Sequence, residues 1–149
     1  MIEPIIKEIT VAAAQSDAFE VFTAQFAFWW PLATHSLSAN DGKLPKTVVL
    51  KPGIGGAIEE ELFDGRKANW GSITEWDPSR KLAFTWHLHR LKNEQTHVSV
   101  EFIPVGDSTR IRLVHAGWDE IGKNAADSRA QYQTGWDVVL AGFVAIFAT

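Results

Sequence analysis

Alternating apolar and polar residues mark seven segments of the chain, and this period of two predicts seven β-strands. The first strand places Ile5, Ile9 and Val11 on one face. The other six follow residue 46 at the close spacing of an antiparallel meander, and Gly, Pro, Asn and Asp turn residues separate them. Their expected ranges are 47–51, 57–63, 68–76, 81–89, 95–103 and 110–116.

Two other segments carry apolar residues every three or four positions, which predicts amphipathic helices. The first runs from Ser16 and Asp17, which suit an N-cap, to Trp30, and the following Pro31 ends it as one helix or two short pieces. The second begins at a capping box spelled by Ser128 and Gln131 and continues to Phe147 with one wide apolar face.

The order of these elements predicts an α+β domain. One strand, a helical excursion, six strands and a long helix favour a curved antiparallel sheet that covers the apolar face of the last helix. A chain of 149 residues is the size of one domain, so we expect residues 1–149 to form a single unit.

Composition narrows the functional classes. The net charge of −4 comes without a basic stripe, which argues against nucleic acid, and the absence of cysteine excludes disulfides and thiolate sites. The N-terminus lacks the pattern of a signal peptide, and the most apolar run, 138–148, is shorter than the roughly 20 residues of a membrane span. We therefore expect a cytoplasmic protein without a membrane segment.

Several sequence words, in this order, resemble the activator-of-Hsp90-ATPase-like branch of the Bet v 1 and START-type superfamily. These words span nearly the whole chain: FWWP at 28–31, PGIGG at 52–56, GSITEWDP at 71–78, KLAFTW at 81–86, VSVEF at 98–102, TRIRLVHAGW at 109–118 and GW at 135–136. The chain departs from the common pattern before the first helix, where AAAQSD replaces a proline-containing start.

The resemblance implies the helix-grip fold, in which a seven-stranded antiparallel sheet grips a C-terminal helix around an apolar cavity and two short helices follow strand 1. Members of this group include small-ligand binders, relatives of polyketide cyclases and aromatases, and domains that stimulate Hsp90. No set of catalytic residues is shared across the group.

Aromatic residues supply the candidates for a ligand pocket. The chain has seven tryptophans and nine phenylalanines, which are costly to leave in water. Phe84 and Trp86 share the inner face of one strand, and Phe102 belongs to the inner face of the next. We predict that ligand contacts come from Trp30, Phe84, Trp86, Phe102, Trp136 and Phe143, although aromatic stripes of this kind are also typical of plain core.

Two polar residues share the inward parity of apolar neighbours. His115 follows Ile111 and Leu113, and Glu60 lies between Ile58 and Leu62. Together they would form a polar pair in an apolar cavity, an arrangement that marks functional sites. For His115 the alternative is a structural role, satisfied by a backbone carbonyl or water. For Glu60 the alternatives are a register that turns Glu59 and Glu61 inward instead, and an edge strand whose acids are solvated and discourage aggregation.

Three histidines, His87, His89 and His97, have the opposite parity and are expected on the outer face of the sheet. No carboxylate or cysteine pattern accompanies them, so we predict a solvated face, no metal site and no cofactor.

The sequence thus predicts a protein that binds a small apolar molecule between sheet and helix and performs no chemistry of its own. Loops 32–46 and 119–127 would gate the pocket. One alternative is a cyclase-, aromatase- or hydrolase-like enzyme that uses His115, or an inward glutamate, as acid or base. The other is a chaperone-interaction module that uses the outer face of the sheet. A homodimer is left open.

Overall fold

The computed structural model describes residues 2–88 and 95–148, and this part of the chain contains the seven predicted strands. Each strand alternates buried and more exposed residues, because one face of the sheet covers the core. The strands are β1 (Ile5–Val11), β2 (Thr47–Leu50), β3 (Ala57–Glu61), β4 (Lys67–Asp77), β5 (Lys81–Trp86), β6 (Thr96–Val105) and β7 (Ser108–Ala116).

All seven strands form one antiparallel sheet in the order β1-β7-β6-β5-β4-β3-β2. The N-terminal strand therefore pairs with the last strand, and β2 forms the opposite edge. Register shifts between Ile58 and Glu59 and between Ile73 and Glu75 interrupt the pairing of β4 with its neighbours, and bulges of this kind bend a sheet. The predicted fold class is confirmed.

The helices differ from the prediction at their ends. The first helical region is two pieces, α1 (Gln15–Thr23) and α2 (Phe26–Trp29), and its N-cap is Ala14, so the predicted Ser16 and Asp17 caps are wrong. The long helix α3 (Ala125–Ile146) starts before the predicted capping box, and Ser128 is buried inside it. Both predicted loops contain 3₁₀ turns, at Ser38–Asp41 and Trp118–Asn124.

Helix α3 lies against the buried face of the sheet, and α1 and α2 close one end of the core. Gly142 permits a close approach between α2 and α3, because a Cβ there would meet the Trp29 carbonyl oxygen at 2.6 Å. Within the described residues, no helix is long and apolar enough to cross a bilayer.

Candidate functional site

Three of the predicted pocket tryptophans meet between α2, the sheet and α3. The ring centroid of Trp30 lies 5.6 Å from that of Trp86 and 6.0 Å from that of Trp136, and Trp86 and Trp136 are also 6.0 Å apart. Phe84 lies beside Trp86 on the same face of β5, with ring centroids 5.4 Å apart. The structure thus brings together four of the predicted ligand residues, from β5, the C-cap of α2 and α3.

A small cleft opens beside these indoles, and we call it the aromatic cleft. Its volume is about 30 Å³, which is close to the share of one liquid water molecule and far below the roughly 300–1,000 Å³ of typical ligand pockets. At this position the predicted aromatic residues fill most of the space between sheet and helix. The lining residues are Trp30, His35, Trp86, Leu88, Tyr132, Gly135, Trp136 and Val139.

His115 is fully buried behind Trp136, as the strand parity predicted, and both of its ring nitrogens have partners. Nδ1 accepts a hydrogen bond from Trp136 Nε1 at 2.9 Å, so the ring proton resides on Nε2. Nε2 donates to Thr96 Oγ1 at 2.5 Å, and the Thr96 hydroxyl in turn donates to the Trp86 carbonyl oxygen at 3.2 Å. The imidazole thereby links β5, β6, β7 and α3.

This environment keeps His115 neutral. Burial, with a smaller contribution from the charge of His97, lowers the pKa of His115 to about 3. Aromatic rings enclose it, with Trp118 at 4.3 Å and Tyr132 at 5.0 Å between ring centroids. His115 is not among the residues that line the aromatic cleft. A neutral ring with both nitrogens engaged has neither a proton to give nor a free lone pair, so the geometry does not support the acid or base role.

Glu60 also faces inward and is fully buried, which agrees with the first of the two registers considered. Its Oε1 accepts from the Leu37 amide at 2.8 Å and from Trp70 Nε1 at 3.1 Å. Its Oε2 accepts from the Ser38 amide at 2.9 Å and from Ser38 Oγ at 2.7 Å. The expected polar pair with His115 does not form, because the carboxylate is occupied by a loop and an indole.

The remaining two predicted aromatic residues lie around Phe22 of α1, in a part of the same aromatic core that Trp29 joins to Trp30 at 5.6 Å between ring centroids. Phe22 contacts Phe102 at 5.7 Å and Phe143 at 5.4 Å between ring centroids. Phe19 packs edge-on against Phe102 at 5.2 Å, and Trp29 packs edge-on against Phe143 at 5.1 Å between ring centroids. Phe102 and Phe143 are not among the residues that line the aromatic cleft.

The three histidines expected on the outer face of the sheet differ in burial and in their contacts. His97 is exposed, and its Nε2 lies 3.2 Å from a carboxylate oxygen of Glu120. The prediction for His87 is wrong, because β5 ends at Trp86 and strand parity no longer applies; His87 is buried and its amide donates to the Trp70 carbonyl. His89 lies outside the described residues. Among those residues, no group of three or more His, Asp or Glu side chains could hold a metal ion.

The sequence reasoning missed His35, which borders the aromatic cleft from residues 31–36, a segment we call the lid. Its carbonyl oxygen accepts from Trp30 Nε1 at 2.7 Å, and its Nδ1 is 2.7 Å from Thr34 Oγ1. Partial burial lowers the pKa of His35. Loops lack the periodicity that reveals a strand or helix residue, so the only signal was the position of this histidine just after the FWWP word.

Comparisons with known proteins agree with this architecture. A family model described as Activator of Hsp90 ATPase homolog 1-like protein matches residues 12–148. No significant match is found among curated proteins.

Solved structures provide several similar folds. The anthrahydroquino-gamma-pyrone synthase Txn09, complexed with SUM, is 28% identical, with a TM-score of 0.65 and 97% of each chain covered. The self-sacrificing resistance protein CalC from Micromonospora echinospora is 23% identical (TM-score 0.67), covering 97% of this chain and 94% of CalC. The Aha1 dimer from Colwellia psychrerythraea is 18% identical (TM-score 0.68), with 99% and 96% covered. The last two identities establish likeness of fold alone.

Proposed function

We propose that this chain, which belongs to the family of Activator of Hsp90 ATPase homolog 1-like proteins, binds a small, flat, apolar molecule at the aromatic cleft and performs no chemistry on it. The observation that carries the proposal is the meeting of Trp30, Trp86 and Trp136 beside a cleft bordered by a loop. Rigid indoles supply large apolar contact area at little cost in conformational entropy.

The engagement of the buried polar groups favours binding over catalysis. General acid–base chemistry needs a titratable group within reach of the substrate proton. Both ring nitrogens of His115 and both oxygens of Glu60 are already hydrogen-bonded within the protein. The enzyme alternative therefore loses both groups that the sequence had offered it.

The bonding of the lid supports entry of a molecule larger than the cleft. The Thr34 and His35 amides donate to the Pro31 carbonyl, and Ser36 Oγ donates to the Leu32 carbonyl. Among the described residues, the lid forms no hydrogen bond to α3. Its displacement from the helix would therefore break no hydrogen bond to α3 and would strain the bond from Trp30 Nε1 to the His35 carbonyl, while Leu37 and Ser38 stay anchored on Glu60.

The solved structure of the similar protein Txn09 supports the proposal that this chain binds a ligand. Txn09, at 28% identity over nearly the whole chain, is an anthrahydroquino-gamma-pyrone synthase that was solved in complex with SUM. We carry over only the capacity to hold a ligand, because the activity of Txn09 belongs to that protein.

The proposal is tested with N-phenyl-1-naphthylamine, a neutral apolar fluorophore whose emission rises on binding. We expect Gly135→Leu, which fills the cleft from α3, to weaken binding at least about tenfold, since one lost apolar site of this size is worth about 1.4 kcal/mol or more. Thr134→Leu adds the same side chain at the neighbouring exposed position and serves as the control. Equal binding by both variants and the wild type, or no binding by the wild type, would contradict the proposal.

We propose a homodimer as a separate point. The Colwellia relative was solved as a dimer, and here a groove of about 450 Å³ lies between edge strand β1 and α3. Ile6 and Val138 on these two elements are each about half exposed. Light scattering after gel filtration should give twice the 16.6 kDa of one chain, and Ile6→Lys should return the monomer. A monomeric wild type would contradict the homodimer proposal and leave the ligand-binding proposal unaffected.

A further inference from the structure

The two edge strands of the sheet differ in how they are protected against pairing with another chain. Within the described residues, the backbone of β1 bonds only to β7, and that of β2 only to β3. A free strand edge is a template for a further strand unless charge or proline blocks it. β2 has four residues, and exposed Lys46 and Lys51 flank it beside Pro45 and Pro52. β2 is therefore a protected edge.

β1 is longer, with seven residues, and its two charged side chains already have partners of opposite charge. Lys7 forms an ion pair with Asp137 at 2.8 Å, and the carboxylate of Glu8 lies 3.7 Å from the guanidinium of Arg112. Ile6, between them and the strand start, is half exposed on the outer face. β1 is thus the edge at which a further strand can add.

Helix α3 has an uncovered apolar flank beside the same edge. The groove of about 450 Å³ between β1 and α3 is walled on the helix side by Leu140, Ala141, Val144 and Ala145, and Ile9 lines it from β1. Ala141 and Ala145 are exposed. Because the distance between two packed helices depends on the side chains at their contact, these small residues allow another helix to approach closely.

A second copy of the chain fits the open edge and the helix flank with one symmetry operation. A two-fold axis perpendicular to the sheet makes two β1 strands antiparallel, and each residue then lies opposite a residue on the same face. The same axis places both α3 helices on one side of the joined sheet. The contact is therefore self-complementary, because each copy covers the edge and the groove of the other.

The charges of β1 select the register of this pairing. Because opposed residues must share a face, the axis passes through one residue of the strand. Only an axis at Lys7, Glu8 or Ile9 pairs five or more strand residues, over 5–9, 5–11 and 7–11 respectively. An axis at Lys7 or Glu8 puts two like charges directly opposite each other, which destabilises a sheet. An axis at Ile9 pairs Ile9 with its own copy, and Glu8 with Thr10.

We infer that two copies of this chain associate by antiparallel pairing of their β1 strands about a two-fold axis at Ile9, which makes one continuous sheet and brings the exposed flanks of the two α3 helices together. This inference rests on the homodimer proposed above, because it names the surfaces and the register of that dimer. The apolar side chain of Ile9, which lines the groove, then meets its copy at the axis.

Single cysteines can report this register directly, because the chain contains no cysteine of its own. Residues directly opposite in an antiparallel pair have Cα atoms about 4.5–5.5 Å apart, within the range that a disulfide spans. Ile9→Cys should therefore form a covalent dimer on oxidation with diamide, measured by non-reducing gel electrophoresis. We expect at least about tenfold more of it than for Val49→Cys, the control in edge strand β2.

Two exposed positions on the outer face give a second measurement that leaves the groove unchanged. Glu8→Cys and Thr10→Cys should each form little covalent dimer alone, because each is displaced along the strand from its own copy. A mixture of the two variants should form the disulfide-linked heterodimer, which mass spectrometry distinguishes by its mass. This pair decides the register if Ile9→Cys does not fold.

The possible outcomes separate the inference from the homodimer itself. If light scattering shows a dimer but neither Ile9→Cys nor the mixture cross-links above the level of Val49→Cys, the β1 pairing is wrong and the homodimer stands. Efficient cross-linking of Glu8→Cys with itself also overturns the inference, because it places the axis at Glu8. A monomeric wild type contradicts the homodimer and this inference together.

Discussion

Trp136 donates its indole proton to Nδ1 of His115, and this 2.9 Å bond joins helix α3 to strand β7 inside the core. The sequence suggested His115 as a ligand-binding residue, but in the structure it connects the helix to the sheet, and its other ring nitrogen donates to Thr96. The same bond fixes the position of the Trp136 ring, which forms one wall of the aromatic cleft. His115 therefore supports the wall of the cleft from behind, whereas Trp136 itself borders the cleft.

The buried His115 should make stability depend on pH. Its pKa is about 3 in the folded protein and near 6.5 in the unfolded chain, so the unfolded chain binds more protons between these values. The stabilisation is complete above about pH 6.5 and is lost as pH falls toward 3, by about 1.4 kcal/mol per pH unit.

The measurement is the free energy of unfolding in urea at pH 6 and pH 4.5, for the wild type and His115→Asn. Carboxylates titrate in both proteins, so the difference between their two slopes isolates His115. We expect the wild type to lose about 2 kcal/mol more than the variant over this interval. Parallel slopes would mean that the imidazole protonates without unfolding.

Glu60 should anchor the loop that follows the lid. Glu60→Gln replaces one carboxylate oxygen with an NH₂ group, which cannot accept a hydrogen bond. In place of Oε1 this group would face the N–H donors of Leu37 and Trp70, and in place of Oε2 it would face the Ser38 amide. Leaving such donors unpaired should cost about 2–3 kcal/mol of unfolding free energy. Hydrogen exchange of the Leu37 and Ser38 amides should accelerate together with that loss.

Glu59→Gln provides the control, because Glu59 is the neighbouring carboxylate on the other face of β3. It should leave both stability and loop exchange nearly unchanged. An equal effect of the two substitutions would show that charge on this strand, and not the anchored loop, is responsible.

The sheet was predictable because each strand has one buried face, which imposes a period of two on its residues. The inward position of His115 followed from that period alone, whereas for Glu60 the period left two registers open. Their partners did not follow from it, because Leu37, Thr96 and Trp136 come from elements far away in sequence. Parity states which way a side chain points, whereas its hydrogen bonds depend on how the elements pack.

The errors have equally local causes. His87 follows the last paired residue of β5, so its burial does not obey the alternation of the strand. Ser128 has the residue type of a cap, but Ala125 and Ala126 are strong helix formers that extend α3 upstream of it. The size of the cleft was beyond prediction, because aromatic composition does not reveal how completely rings fill the space between them.

Removal of the indole donor should expose the structural role of His115. Trp136→Phe leaves Nδ1 buried without a partner, and we expect a loss of about 2–4 kcal/mol when the smaller ring volume is included. The ¹⁵N chemical shift of Nδ1 should change as well, since it reports the loss of the bond directly. Trp76→Phe makes the same change at a partly buried ring that packs edge-on against Phe19, and should cost less and leave the His115 signals in place.

Two glycines of α3 should respond oppositely to the same substitution. Gly142→Ala places a Cβ at 2.6 Å from the Trp29 carbonyl oxygen, a backbone atom that cannot move without displacing α2. We expect a loss of about 1–3 kcal/mol despite the better helix propensity of alanine. A shift of α2 would also disturb Trp30, so binding of N-phenyl-1-naphthylamine should weaken in this variant.

Gly135→Ala is the matched test on the same helix. Its Cβ would meet only His35 Nε2, at an ordinary contact distance of 3.8 Å, so alanine should be neutral or add up to about 1 kcal/mol of stability. Thermal unfolding of the two variants beside the wild type is sufficient to compare them. If Gly142→Ala were as stable as Gly135→Ala, the contact between α2 and α3 would have to be looser than the 2.6 Å distance implies.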